Sequence, residues 1–171
     1  MKTNEFGQVI GESVPGFTPG GLPTAASIEG RYTRLEKLNE SHKEALYVVY
    51  GPDTPAQMWT YLAGSSVANE VEWDDLFDRL LRDSSKFYYV ILDKNTKKAL
   101  GTFALMRLDT ANRVVEIGSV TYLPELQRTR IATEAQYLMA RYVFEEMGYR
   151  RYEWKCDALN EPSKRAARSE E

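Results

Sequence analysis

The chain has 171 residues, enough for one domain with a real core and too few for two ordinary ones. Its 43% apolar and 27% charged residues are those of a soluble globular protein, and a net charge of −3 gives no reason to expect nucleic acid as the main partner. One cysteine, Cys156, excludes an internal disulfide framework and any zinc-knuckle spacing, no apolar run approaches the ~18 residues of a membrane span, and no signal core precedes residue 18. A cytoplasmic protein with no metal and no membrane partner is the expectation.

In chain order, residues 1–27, with VPGFTPGGLPTAA, show no period and predict an arm that is flexible or draped over the domain. Order is expected to begin with SIEGRYTRLEKL, where Ile28, Tyr32 and Leu35 face a core. Asn39 or Ser41 caps a short helix, Ser41 with Glu44 matching a capping box. After the loop GPDTP comes a short helical stretch, AQMWTYLAG. EVEWDDLFDRLLRD then predicts a third helix with Val71, Leu76, Leu80 and Leu81 on its inner side.

From here the period changes from 3.6 to 2 or to solid apolar runs. KFYYVILD, the turn KNTKK, ALGTFALMRL, the turn DTANR and VVEIGSVTYL predict three strands of an antiparallel meander. A helix follows with Ala135, Leu138, Met139, Tyr142, Val143 and Met147 on one stripe and Gly148 as its C-cap. RYEWKC alternates Tyr152, Trp154 and Cys156 against Arg151, Glu153 and Lys155, a further strand with Cys156 as a small core residue. Strand, loop, helix and strand imply a parallel pair, so the fold class is α/β with a mixed sheet: a meander continued through one right-handed βαβ unit.

Charge changes sign along this order. Residues 1–126 carry 13 basic and 17 acidic side chains, residues 127–168 carry 9 and 6, and Glu170 and Glu171 follow. The positive excess starts at QRTRIAT, between the third meander strand and the helix, with no acid until Glu134. A loop that opens a helix offers free backbone N–H groups and the positive end of the helix dipole to an anion. The competing reading of Arg128 and Arg130 is a pair of solvated loop cations.

Gln127-Arg128-Thr129-Arg130-Ile131-Ala132, followed by Thr133-Glu134-Ala135, resembles the Q/R-x-x-G-x-G/A pattern of the GNAT acetyltransferases, and T-E-A resembles the ribosomal-protein N-terminal acetyltransferase branch. Similarity extends over roughly residues 30–166. It implies that Gln127, Arg128, Thr129, Arg130, Ile131, Ala132 and Thr133 hold the pyrophosphate of acetyl-coenzyme A. Main-chain groups around Val120, Thr121 and Tyr122 would pair with the pantetheine arm, helped by Asn160 and Ser163 of N-x-x-S. Glu116, eleven residues before Gln127, would be the general base. Arg130 departs from the pattern, standing where the family most often has its first glycine. For Glu116 the alternative is an ion pair with Arg107 or Arg113, and for Asn160 a helix N-cap with Pro162 in the first turn.

The implied function is transfer of an acetyl group from acetyl-coenzyme A to an amine, a small molecule or a protein N-terminus, by direct attack. The alternative is a catalytically impaired cofactor-binding or assembly module that keeps the fold; binding of nucleic acid through residues 127–168 is opposed by Glu134, Glu145 and Glu146. Domain organisation is expected as an arm, 1–27, and one acetyltransferase-like domain, 28–171, lacking the family's last strands and its catalytic tyrosine, with a homodimer or strand exchange at the open sheet edge left open. Trp59, Tyr61, Trp73, Phe77 and Tyr88 are core or acceptor wall, and Glu70, Glu72, Asp74, Asp75 and Asp78 are a solvated helix start or an attraction for an amine. His42 receives no catalytic role.

Overall fold

The computed structural model describes residues 2–168; Glu170 and Glu171 lie outside them. A two-residue hairpin, β1 (Lys2–Thr3) with β2 (Val9–Ile10), opens the chain where the sequence has no period. Asn4 makes this turn, its Oδ1 accepting from the amides of Phe6 and Gln8. A six-stranded sheet follows in the order β3 (Ser27–Glu29), β4 (Thr33–Lys37), β5 (Lys86–Asp93), β6 (Ala99–Asp109), β7 (Val114–Tyr122) and β8 (Arg151–Trp154). Each neighbouring pair is antiparallel except β7 with β8, which is parallel in the register Val114–Arg151 to Ile117–Trp154. The helices are α1 (Lys43–Tyr50), α2 (Glu70–Arg82), α3 (Arg130–Arg141) and α4 (Glu161–Arg168).

Alternation along the strands divides the core into two layers. Tyr89, Ile91, Phe103, Leu105, Val115 and Ile117 face α3, meeting Ala135, Leu138, Met139, Tyr142 and Val143. Val90 and Leu92 face the opposite way, against Leu46 and Val49 of α1 and Trp73 and Phe77 of α2. Trp73 and Phe77, not Val71, Leu80 or Leu81, therefore centre the inner side of α2: Val71 is exposed, and Leu76, Leu80 and Leu81 are half-buried flanks. The two largest apolar residues sit four apart and take the middle of the stripe, because burying an aromatic removes the most apolar area from water.

Two further expectations change. Asn39, not Ser41, caps the first helical turn: its Oδ1 accepts from Ser41, and the His42 ring accepts from the Asn39 amide in place of a Ser41–Glu44 box. Cys156 is exposed and follows the strand, because β8 ends at Trp154. His42 is buried and bonds Glu36 at 2.8 Å. α3 ends in a π-type turn, Tyr142–Glu146, before Gly148 at φ +64.

The segment before β3 lies across the domain. The amides of Thr24 and Ala25 donate to the Tyr142 hydroxyl, Tyr149 donates to the carbonyl of Gly21, and Arg113 donates to that of Thr18 and, through Nη1, to that of Gly148. Among the described residues, no helix is long and apolar enough to cross a membrane.

Candidate active site

β7 is nine residues long and β8 only four, so β8 pairs with β7 only as far as Ile117. Residues 118–122 continue beyond the end of their parallel neighbour, and the backbone breaks register at the same point: Thr102 faces Thr121 while Ala104 faces Gly118, which leaves Ser119 and Val120 opposite Phe103 alone. Ser119 takes a φ of +49 there. This is the bulge expected of the small pair Gly118–Ser119. At Gly118 the Met106 side chain comes close, its Sδ 2.5 Å from where a Cβ would stand, so a larger residue there would have to displace it.

After β7 the chain turns through residues 123–129 into α3. Thr129 is the N-cap; its Oγ1 accepts from the Ala132 amide at 3.2 Å and donates to the carbonyl of Leu126 at 2.7 Å. The Gln127 amide donates to Pro124 and that of Thr133 to Thr129. Between them, the amides of Arg128, Thr129, Arg130 and Ile131 find no backbone acceptor among the described residues; for the last three this follows from their place at the N-cap and in the first turn of α3. Arg128 holds the left-handed φ of the loop, +59. Arg130 is already the first residue of α3, so its backbone needs no glycine; its exposed guanidinium lies 5.9 Å from the Tyr32 ring centre.

Glu134, the first acid after the loop, is turned away from it. Its carboxylate accepts from the amides of Arg31, Tyr32 and Thr33 at 2.8, 2.7 and 2.8 Å, tying the β3–β4 turn to the start of α3. Burial alone would raise its pKa, but these three amides, with the charge of Lys94, hold it below the ordinary carboxylate value. The loop thus offers four amides, two guanidinium groups and no uncommitted carboxylate, a donor set that fits a pyrophosphate.

Glu116 faces away from Val115 and Ile117 and is buried. Its Oε2 takes two cations, Arg107 Nη1 at 3.1 Å and Lys155 Nζ at 2.9 Å. Arg113 is not one of them; it holds the arm. Oε1 accepts from no group among the described residues and lies beside Gly118, 3.6 Å from where a Cβ would stand. The bonds of Lys155 to Glu116, and then to Glu153, hold its ammonium above the ordinary lysine value.

Asn160 caps α4, its Oδ1 accepting from the Ser163 amide at 3.1 Å, and the Ser163 hydroxyl accepts from Trp154 Nε1. Both side chains therefore have structural partners on the β8 side of the splay. Thr121 is buried, and Tyr122 accepts at its hydroxyl from Gln136 of α3. Of the five aromatics, Trp73, Phe77 and Tyr88 are core. Trp59 is half-buried and donates to Thr54, whereas Tyr61 is exposed and donates to the carbonyl of Leu159, bridging the segment before α2 to the one before α4. Tyr50, which the sequence does not single out, bonds Thr102 at 2.6 Å, and burial pushes its phenol up to about 12. Missed as well was Gln136, a buried amide on the apolar stripe of α3; a polar residue at a core position was its only signal.

Residues 33–169 match the family model described as "Acetyltransferase (GNAT) domain". A GCN5-related N-acetyltransferase from Brucella melitensis is 39% identical with a TM-score of 0.86, covering 91% of this chain and 71% of that one. A structure from Chromobacterium violaceum described as one of the "probable acetyltransferases (GNAT family)" is 32% identical with a TM-score of 0.82, covering 95% of this chain and 82% of that one. Spermidine N-acetyltransferase from Vibrio cholerae, in complex with CoA and spermine, shares the fold at 14% identity and a TM-score of 0.64, covering 82% and 80%. A comparison with curated proteins gives no match.

Proposed function

The chain belongs to the GNAT acetyltransferase family, enzymes that move an acetyl group from acetyl-coenzyme A to an amine, and from that membership we propose the residues that carry the reaction here. Acetyl-coenzyme A is the donor in this reading and supplies an acetyl thioester already activated for transfer. The observation that carries the reading is the coincidence of the four uncommitted amides at residues 128–131 with the point where β7 runs on past β8.

Gln127, Arg128, Thr129, Arg130, Ile131, Ala132 and Thr133 form the cradle of the pyrophosphate. The Thr129 cap and the Glu134 anchor hold its amides in place before the ligand arrives, so little ordering is needed on binding. Val120, Thr121 and Tyr122 offer main-chain groups to the pantetheine arm along the part of β7 that runs on past β8, as an added strand would use them. Asn160 and Ser163 border the same gap from the α4 side, Asn160 keeping its capping bond.

Glu116 is the proton acceptor for the incoming amine, through Oε1. Oε2 is fixed by Arg107 and Lys155, so the carboxylate is oriented and one oxygen is left to the amine or to a water between them. The Met106 side chain takes the place a Gly118 Cβ would fill, beside Oε1. Localisation is read as cytoplasmic, and the acceptor as a small amine or a peptide N-terminus. Organisation is read as an arm, 1–27, followed by one acetyltransferase-like domain.

Thiol release from acetyl-coenzyme A over a panel of amines tests this assignment. Glu116→Gln keeps the shape and loses the proton acceptor: kcat should fall about 100-fold, the usual weight of a positioned base, with acetyl-coenzyme A affinity unchanged. Equal kcat in wild type and variant would remove Glu116 from the mechanism.

A further inference from the structure

Arg107 stands where simple alternation would not put it. Leu105 faces α3 and Met106 is the partner of Glu116 on the opposite side, so regular alternation returns residue 107 to the α3 side. Instead the register breaks between Met106 and Asp109, Arg107 adopts a φ of +49, and its guanidinium reaches Glu116. A non-glycine residue in this left-handed region is strained, and bulges that carry such strain re-aim side chains.

Structure alone does not require it there, because Lys155 already neutralises Glu116 at 2.9 Å. Only Nη1 of Arg107 is engaged among the described residues, and the side chain is 62% exposed, so most of its donor fork remains available. Arg107 is also one of the residues lining a crevice of about 410 Å³, with Ser84, Ser85, Lys86, Met106 and Leu108. Lys86 adds a second cation, whose ion pair with Asp83 is long, at 3.9 Å. Asp74 and Asp78 of α2 are paired with Lys43 and Arg82, and Glu153 beside the site is paired with Arg151 and Lys155.

We propose that Arg107 determines acceptor specificity, binding an anionic oxygen group that the acceptor carries a few bonds from its amine, while Glu116 Oε1 receives the amine itself. The inference rests on the acetyl-transfer site described above and adds to it the charge class of the acceptor. An amine of this kind brings its own negative charge to the open donors of Arg107, whereas a polyamine would set positive charge against them.

Matched acceptors test the inference: glycylglycine against glycylglycinamide, and phosphoethanolamine against ethanolamine, with spermidine as the cationic comparison. At equal pH the amide holds more of its amine in the neutral form than the free acid does, so intrinsic reactivity works against the expected result. The acid or phosphate member of at least one pair should have a kcat/KM about tenfold to a hundredfold higher, the weight of a charge-assisted bond, and the favoured pair identifies carboxylate or phosphate as the group bound. Arg107→Gln should bring that ratio close to one, mainly through KM, and Arg107→Lys should restore part of it. Equal rates within both pairs, a preference for spermidine, or a ratio unchanged in Arg107→Gln would overturn the proposal. Should no amine release thiol, the transfer reading fails separately. The charge preference is then read by NMR titration of the Arg107 Nε–H with each pair, where an equal response to both members would overturn it.

Discussion

Replacing Glu134 by alanine deletes three backbone bonds at once. The carboxylate accepts from Arg31, Tyr32 and Thr33 at 2.7–2.8 Å, and the Thr33 amide belongs to a fully buried residue. A hydrogen bond to a charged group contributes about 1.5–3 kcal/mol net, and an exposed amide such as that of Arg31 recovers much of this from water. The loss should therefore total about 2–3 kcal/mol, which for a domain of this size lowers Tm by about 4–12 °C. The pH dependence gives a second readout. The pKa of Glu134 is depressed in the folded state, so its contribution is fully present above the unfolded value, about 4.3, and is lost as pH falls through the lower folded value. Wild type should lose this part of its stability below about pH 4.3, whereas Glu134→Gln should lack it. Calorimetric unfolding from pH 7 to pH 3 measures both effects. A Tm within 1 °C of wild type for Glu134→Ala, or parallel pH curves for wild type and Glu134→Gln, would refute the reasoning.

Thr129→Ala removes the N-cap of α3 and should cost about 1 kcal/mol, read as a fall in the urea midpoint, while weakening acetyl-coenzyme A severalfold; Thr129→Ser should restore both. Phe77→Ala opens a cavity in the α2 layer at a residue 1% exposed, and should cost about 3–5 kcal/mol in chemical unfolding with a far smaller effect on acetyl-coenzyme A affinity.

The meander and the crossover were legible because their signals are local. A period of two through KFYYVILD and VVEIGSVTYL, polar turns between strands, and a clear 3.6-residue stripe from Ala135 to Met147 each identify an element without knowledge of its neighbours. The loop that opens α3 was legible for the same reason, as a cap residue and two arginines at the start of that stripe. α2 was harder. Six apolar residues spread over more than one helical face, and only the position of Val90 and Leu92 beneath the helix decides that Trp73 and Phe77 take the centre. The face that Glu116 takes was legible from its apolar neighbours, but not the pair of cations on one oxygen: Lys155 reaches it across 39 residues, through the β7–β8 register that sets Glu116 against Glu153. Arg107 was considered as a partner, yet the bulge that turns it onto that face leaves no mark in the sequence, since arginine is an unusual choice for positive φ. Cys156 was misjudged because alternation was continued two residues beyond the last strand pair.

Amide chemical shifts recorded while CoA is titrated into the protein report directly on the loop before α3. Arg128, Thr129, Arg130 and Ile131 should move most, together and to saturation, while pantetheine, which lacks the pyrophosphate, should leave those four in place and shift residues 118–122 of β7 instead. Saturable CoA binding with the four loop amides unmoved would contradict the assignment of QRTRIAT as the pyrophosphate cradle.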